Sequence, residues 1–436
     1  MTGAESHLPR IRLAILRGPA GRVLIILSLI NFINYVDRFV ATSLFPLLKK
    51  EFVLSDFELG LLVPAFLVIH AVFSIPAALL ANRWLKSRLI AIGIAIWSTA
   101  TALSALAENY TQLFIFRALI GVGEATYAPA ATALISAYFI QRDRAKAMGI
   151  FNLGLLVGGA VGMFAGTQIG GYVGWREAFL VVGVPGFVLA VFAWRLKEGP
   201  PGAEVQNVPL RRADIADLFR IRTLRYVFVG GMLITFCVGG IVAFFTEYVF
   251  VRFGADGAQM TLEEIRKLPP EVLAKLGVPA AIAALIGSVV GVPTGAALGD
   301  RWFARNPAGR LNVIAAGFLI GIPLAVIGQF IEIQWLFFCV FTIGISFFVW
   351  YMGPIFAVLH DVVRPNQRAM VIALFIFAIH MGGDAISPPI IGLVSDATRS
   401  LRTAFWVPLG VGLIGAFIIY LGGRHVAADM KRAAAS

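Results

Sequence analysis

Charged side chains are scarce in this sequence: they make up 14% of 436 residues, while apolar types reach 59%. An ordinary soluble domain carries about 25% charged residues. A water-soluble chain cannot hide so much apolar surface, so lipid is the solvent for most of this one. That argues against a soluble enzyme, a nucleic-acid reader or a disordered scaffold. Cysteine is nearly missing. Cys237 and Cys339 each lie inside an apolar run and read as small core residues, not as a disulfide or a metal site. No G-x-x-x-x-G-K-[ST] occurs, which argues against a primary pump, and no G-x-S-x-G elbow occurs. Met381-Gly382-Gly383-Asp384 comes near the G-x-G-D of an intramembrane aspartyl protease but fails at Met381, so a hydrolase is a lesser alternative. The first apolar run is too long for a signal-peptide core and lacks a small-residue cleavage site, so it is expected to remain as a span.

What the sequence has in abundance is long apolar runs. Twelve are expected to span, over 23–48, 57–82, 89–107, 111–139, 146–171, 177–195, 226–251, 279–303, 311–331, 334–359, 369–394 and 403–423. The net charge of +12 is carried by Lys and Arg in short patches between these runs. With the N-terminus inside, 25 of the 36 basic residues fall on the inner side and 9 on the outer, which predicts cytoplasmic termini. The segment 196–225 carries Gly199-Pro200-Pro201-Gly202 and five arginines, and divides the chain six plus six. The expected organisation is a bundle over 1–198, a basic cytoplasmic linker over 199–222 and a second bundle over 223–436. The segment 252–278 is expected outside, with Thr261 and Glu264 as a capping box for a short surface helix.

The division into six and six suggests a duplicated transporter fold. Ala81-Asn82-Arg83-Trp84 after the second span is echoed by Gly299-Asp300-Arg301-Trp302 after the eighth. Both resemble the loop motif of the major facilitator superfamily, in which an acidic and a basic residue clamp the inner helix ends. Asn82, Arg83, Asp300 and Arg301 are therefore gating candidates, although Asn82 replaces the usual acid. The fifth span carries Gly154, Gly158, Gly159, Gly162, Gly166, Gly170 and Gly171. Small residues four apart allow close helix approach, and the stretch also resembles the antiporter glycine motif of that superfamily without its proline.

A charge near the bilayer centre costs at least about 2.5–3.5 kcal/mol, so each one calls for a reason. Asp37 and Arg38 lie in the first span, Arg117 and Glu124 in the fourth, His380 and Asp384 in the eleventh, and Glu247 near an outer end. At 1.5 Å per residue Asp37 sits about 21 Å from the inner edge and Arg117 about 22 Å, so the two can pair. Glu124 lies about 10 Å deeper on the same helix face as Arg117. Two carboxylates and two arginines at these depths suit a proton relay in which an arginine exchanges partners; a permanent salt-bridge staple is the alternative. Asn34, Tyr35 and Tyr127 flank these charges and are substrate-binding candidates, with Phe244, Trp350, Tyr351, His380 and Asp384. His380 by itself, like His70, also reads as a hydrogen-bonded helix contact. If Phe244, Trp350 and Tyr351 face inward, an apolar wall stands opposite a charged one, which suits a substrate with a polar head and an apolar tail.

Three motifs carry a family resemblance. Asn34-Tyr35-Val36-Asp37-Arg38 resembles the N-Y-x-D-R signature shared by the Spinster family and the organic-anion symporters. Arg117-Ala-Leu-Ile-Gly121-Val-Gly123-Glu124-Ala125 is similar to the Spinster R-x-L-x-G-x-G-E-A pattern. His380-Met-Gly-Gly383-Asp384-Ala385-Ile-Ser387-Pro388, followed by Gly392 and Ser395-Asp396, is closest to Spinster. The resemblance implies an all-α membrane protein with twelve transmembrane helices in two six-helix bundles. It implies a non-enzymatic, alternating-access exporter of lysophospholipids or sphingoid lipids such as sphingosine phosphate. In that family the positions of Asp37, Arg38 and Glu124 are associated with proton coupling. The expected partners are a lipid-like small molecule, protons and membrane lipids, with no nucleic acid, cofactor or metal. The chain is expected to work as a monomer in the inner membrane of a bacterium. A proton-coupled organic-anion symporter, binding a carboxylate through Arg117 or Arg38, is the alternative.

Overall fold

The computed structural model describes residues 13–81, 84–198, 217–254 and 269–434. Among the described residues the chain is helical throughout, without strands. Helices suit lipid because each satisfies its own backbone polar groups. Twelve are long and apolar enough to cross a membrane. The first six are Gly18–Ser43, Asp56–Ser74, Lys86–Ser104, Tyr110–Tyr138, Lys146–Tyr172 and Trp175–Trp194. The second six are Arg222–Phe253, Glu271–Phe303, Gly309–Gly328, Gln334–Asp361, Met370–Thr398 and Leu401–Ala434. They form two six-helix halves. With an even number of crossings, the first and last described residues lie at one end, here called proximal; the other is distal. Most of the expected linker, with Arg211 and Arg212, lies outside the described residues, as do the Thr261–Glu264 capping box, Asn82 and Arg83.

Proline and glycine break three of the expected runs. The first span ends at Ser43, and Pro46 opens a separate short helix, Phe45–Phe52, at the distal end. The tenth runs helically over Gln334–Phe348, passes through a 3-10 turn, and restarts at Pro354 after Gly353. The eleventh is α-helical to Ile379, widens into a π turn over His380–Asp384, and resumes at Ser387 ahead of Pro388. The fourth begins regularly: Asn109 accepts a hydrogen bond from the Gln112 amide and caps the helix. Gly174, at φ 145°, makes the tight turn between the fifth and sixth spans, a conformation closed to other residues.

The glycines of the fifth span set its distance from the first. A Cβ on Gly158 would lie 2.6 Å from the Phe32 carbonyl oxygen, and one on Gly162 would lie 2.5 Å from that of Val36. The expected close packing is therefore realised backbone against backbone. A similar approach joins the two halves near the distal end. A Cβ on Gly60 of the second span would meet the Pro388 carbonyl at 2.5 Å, and one on Gly277 of the eighth would meet Thr167 of the fifth. Gln168 donates to the Ala274 carbonyl at 2.6 Å across the same seam. Phe45 and Phe244 meet edge to face there, with centroids 5.8 Å apart. These contacts close the distal end.

Candidate functional site

Asp37 and Arg38 are neighbours on one helix, so they point about 100° apart. Asp37 turns into the first half and is 1% exposed. Its Oδ2 accepts a hydrogen bond from Thr101 Oγ1 of the third span at 2.5 Å, and its Oδ1 lies 4.0 Å from Arg117 Nη1. Arg38 turns toward the middle of the molecule, its side chain 24% exposed. Its Nη2 donates to Glu124 Oε2 at 2.6 Å. The guanidinium also lies over two ring faces, 4.6 Å from the centre of Phe66 and 5.1 Å from that of Tyr35. Such stacking holds an arginine that is only partly desolvated.

The two pairs differ in kind. Arg38–Glu124 is a short charge-assisted hydrogen bond that solvent reaches from the arginine side. Asp37–Arg117 is longer and sealed, and Arg117 Nη1 and Nε have no hydrogen-bond partner. Glu124 Oε1 and Asp37 Oδ1 are likewise unpartnered. Buried polar atoms left bare are costly, so this cluster holds unsatisfied acceptors and donors side by side. A shift of either arginine would fill one vacancy and open another. That is what partner exchange requires chemically.

In the second half, the π turn of the eleventh span puts His380 Nδ1 2.8 Å from Asp384 Oδ2. Both side chains are partly exposed. Single π turns inside α-helices recur at functional sites because they redirect side chains. Gly383 within it is needed for packing: a Cβ there would sit 2.8 Å from the Met232 carbonyl of the seventh span. Asp384 is close enough for its charge to act on Arg38 across the gap between the halves.

The other candidates spread out. Asn34 is buried beside the pair of charges, its Nδ2 without a partner, and Tyr35 is half-buried under Arg38. Tyr127 is buried, donates to the Leu27 carbonyl at 2.9 Å and packs edge-on to Trp97, so it belongs to the core of the first half and not to an open surface. Phe244 is fully buried in the distal seam and presents no free wall. Trp350 and Tyr351 are half-buried in the 3-10 turn of the tenth span; Trp350 packs on Phe347 and Tyr351 lies 6.4 Å from Phe318. Asp300 does not pair with its neighbour Arg301, which is exposed. It accepts from Arg310 at 2.7 and 3.1 Å, and Arg310 also binds Asp361. Arg310 reaches Asp300 because it opens the ninth span, facing back across the turn, whereas Arg301 follows Asp300 on the same helix and points away.

Two contributors escaped the sequence reading. Thr101 carries no signal in a run of small residues, since hydroxyls are common in membrane helices. Phe66 is one phenylalanine among 35; only its place opposite Arg38 marks it.

The profile of the Major Facilitator Superfamily matches residues 27–383. Protein spinster of Drosophila melanogaster is 26% identical over 388 residues, which cover 85% of this chain but only 61% of that protein. An MFS-type efflux pump of Mycolicibacterium smegmatis is 25% identical and covers 93% of both chains. The sphingosine-1-phosphate transporter SPNS2 of Danio rerio is 26% identical, over 91% of this chain and 81% of its own. Among solved structures, a bacterial homologue of the human lysosomal transporter Spinster, captured inward-facing and occupied, aligns with a TM-score of 0.81. It does so at 22% identity over 95% of this chain and 98% of its own. The chain therefore belongs to the Major Facilitator Superfamily, and within it is related to the Spinster proteins.

Proposed function

We infer that this transporter moves amphipathic lysolipid- or sphingoid-type substrates by alternating access, coupled to protons through Asp37, Arg38, Arg117 and Glu124. The observation that carries this reading is the pairing of Arg38 with Glu124 at 2.6 Å, beside the longer Asp37–Arg117 pair. Deprotonated Glu124 holds Arg38 on the first half. A proton on Glu124 frees Arg38 for a substrate headgroup or for Asp384 across the gap. An anionic head would meet the partly exposed guanidinium, with Tyr35 and Phe66 beside it to pack the first carbons of a tail. The similarity to a sphingosine-1-phosphate transporter supports a lipid-like cargo. With the proximal end in the cytoplasm, as the basic residues argue, the closed distal end supports an inward-facing reading. An organic-anion symporter would use the same Arg38 without needing a tail; Arg117, 4% exposed, is too enclosed for that task.

The test is transport into proteoliposomes under an imposed pH gradient, comparing a lysolipid with a small sugar acid. Gradient-driven movement of the lysolipid is expected. Movement of the sugar acid alone would replace this reading with the symporter. Glu124→Gln is expected to bind the lysolipid yet lose the response to the gradient, because glutamine keeps a hydrogen bond to Arg38 but cannot titrate. Wild-type gradient-driven transport by both Glu124→Gln and Asp37→Asn would make these charges structural.

A further inference from the structure

A second charged cluster closes the distal seam, and the relay does not use it. Lys49, near the end of the short helix Phe45–Phe52, is 6% exposed. Its Nζ donates to Asp56 Oδ1 at 2.5 Å and to Glu247 Oε1 at 3.2 Å. Ser395 Oγ donates to the other Asp56 oxygen at 2.6 Å. Asp396 accepts from the backbone amides of Asp56 and Phe57, both at 2.9 Å, and so caps the second span from the opposite half. Lys49 and Asp56 belong to the first half; Glu247, Ser395 and Asp396 belong to the second.

The charges in the enclosed part do not balance. One ammonium faces two carboxylates. Asp56 has a donor on each oxygen, from Lys49 and from Ser395. Glu247, 0% exposed, has a donor on Oε1 only; its Oε2 is buried without a partner. The charged groups that act on Glu247 are Lys49 of the short helix and Asp56 of the second span. Asp396 on the eleventh span is satisfied by two amides and remains exposed. A bare carboxylate oxygen in a dry, net-negative pocket is the atom that binds a proton most readily.

We propose that Lys49, Asp56 and Glu247 form a proton-gated latch: closing the distal end takes one proton onto Glu247 Oε2 from the distal compartment, and opening returns it there. On opening, the halves part and Lys49–Asp56 stays together as a balanced pair. Glu247 leaves with the second half, meets water and ionises. Because the proton enters and leaves on one side, it does no transport work. The latch reports the pH of the distal compartment by setting how readily that end opens. This goes beyond the transport reading and needs from it only that the two halves part.

The sign follows from linkage. Closing binds a proton, so acid favours the closed end, and the open fraction rises with pH by at most about tenfold per unit for one proton. Spin labels at Glu108→Cys and Glu332→Cys, on distal loops of the two halves in a Cys339→Ala background, read the distance between them in the full chain in nanodiscs. The long-distance population is expected to grow between about pH 5 and about pH 9, and Glu247→Gln is expected to stay closed at every pH. Asp396→Asn weakens the cap from the opposite half without removing the titrating group, so it should raise the open fraction at every pH and keep the slope. The same series in a Glu124→Gln background separates the latch from the relay. A slope that persists there supports the latch, whatever becomes of the relay. A flat response in that background, a flat wild type, or an unchanged slope in Glu247→Gln would overturn it.

Discussion

Arg38 and Asp37 show how adjacent residues on one helix acquire different chemistry. A rotation of about 100° sends Asp37 into a sealed pocket and Arg38 to the partly open centre. Arg38→Ala leaves Glu124 buried without its cation, and breaking a buried pair costs about 3–5 kcal/mol. Thr101→Val removes one hydrogen bond from Asp37, which keeps Arg117 nearby, and is expected to cost about 1–3 kcal/mol. Arg38→Lys restores the charge but not the planar stacking over Phe66 and Tyr35, so it should fall between wild type and alanine. Thermal unfolding of the three variants in one detergent checks the order; a Thr101→Val loss larger than that of Arg38→Ala would mean Glu124 does not depend on Arg38. The sequence makes the charges visible because they interrupt apolar runs, and counting 1.5 Å per residue places Asp37 level with Arg117. It cannot reveal Thr101, whose hydroxyl looks like any other in a membrane helix.

At the scale of elements, the contact between the first and fifth spans is decided by where a side chain is absent. Gly162 faces the Val36 carbonyl, a backbone atom that cannot yield without moving a helix. Gly149, earlier on the same helix, has nothing within 4 Å of where its Cβ would stand. Gly149→Ala is therefore expected to be neutral or to stabilise by about 0.5–1 kcal/mol, since alanine loses less entropy in a helix. Gly162→Val is expected to cost about 3 kcal/mol or more through overpacking. Equal unfolding midpoints for the two would remove the case that the glycines set this spacing. The periodic glycines are legible as a packing face, and their partner is not. The π turn at His380–Asp384 is also illegible, because Gly382-Gly383 permits several backbone courses and only packing on the seventh span selects this one. The pairing of Asp300 with Arg310 is hidden for a related reason: it spans a turn, whereas the motif invites pairing with adjacent Arg301.

Across the whole molecule, length and apolarity make the twelve spans readable, whereas the surface on which the halves meet is not. Glu247 stands out as a charge near an outer end, but Lys49 and Asp56 look like ordinary flank residues until the fold sets them against Glu247 of the other half. The seam is a contact between bodies, and the interior of each half is a contact within one. A wedge separates the two cases. Gly277 of the eighth span faces Thr167 of the fifth, so Gly277→Phe cannot fit while the distal end is closed. If the halves rock as units around a central site, the clash is relieved by opening that end, and each half keeps its own core. Gly162→Val, by contrast, wedges two helices of the same half and has no such escape. Gly277→Phe is therefore expected to retain most of its thermal stability while exposing the seam. Ala274, 1% exposed and against Gly171 across the seam, provides the readout. In a Cys339→Ala background, Ala274→Cys should react slowly with a water-soluble maleimide, and adding Gly277→Phe should raise the rate by about tenfold or more, which corresponds to about 1.4 kcal/mol of bias toward the open end. Should Gly277→Phe instead unfold as readily as Gly162→Val, with no gain in labelling before unfolding, the two halves do not move as separate bodies and alternating access by rocking is the wrong mechanism for this chain.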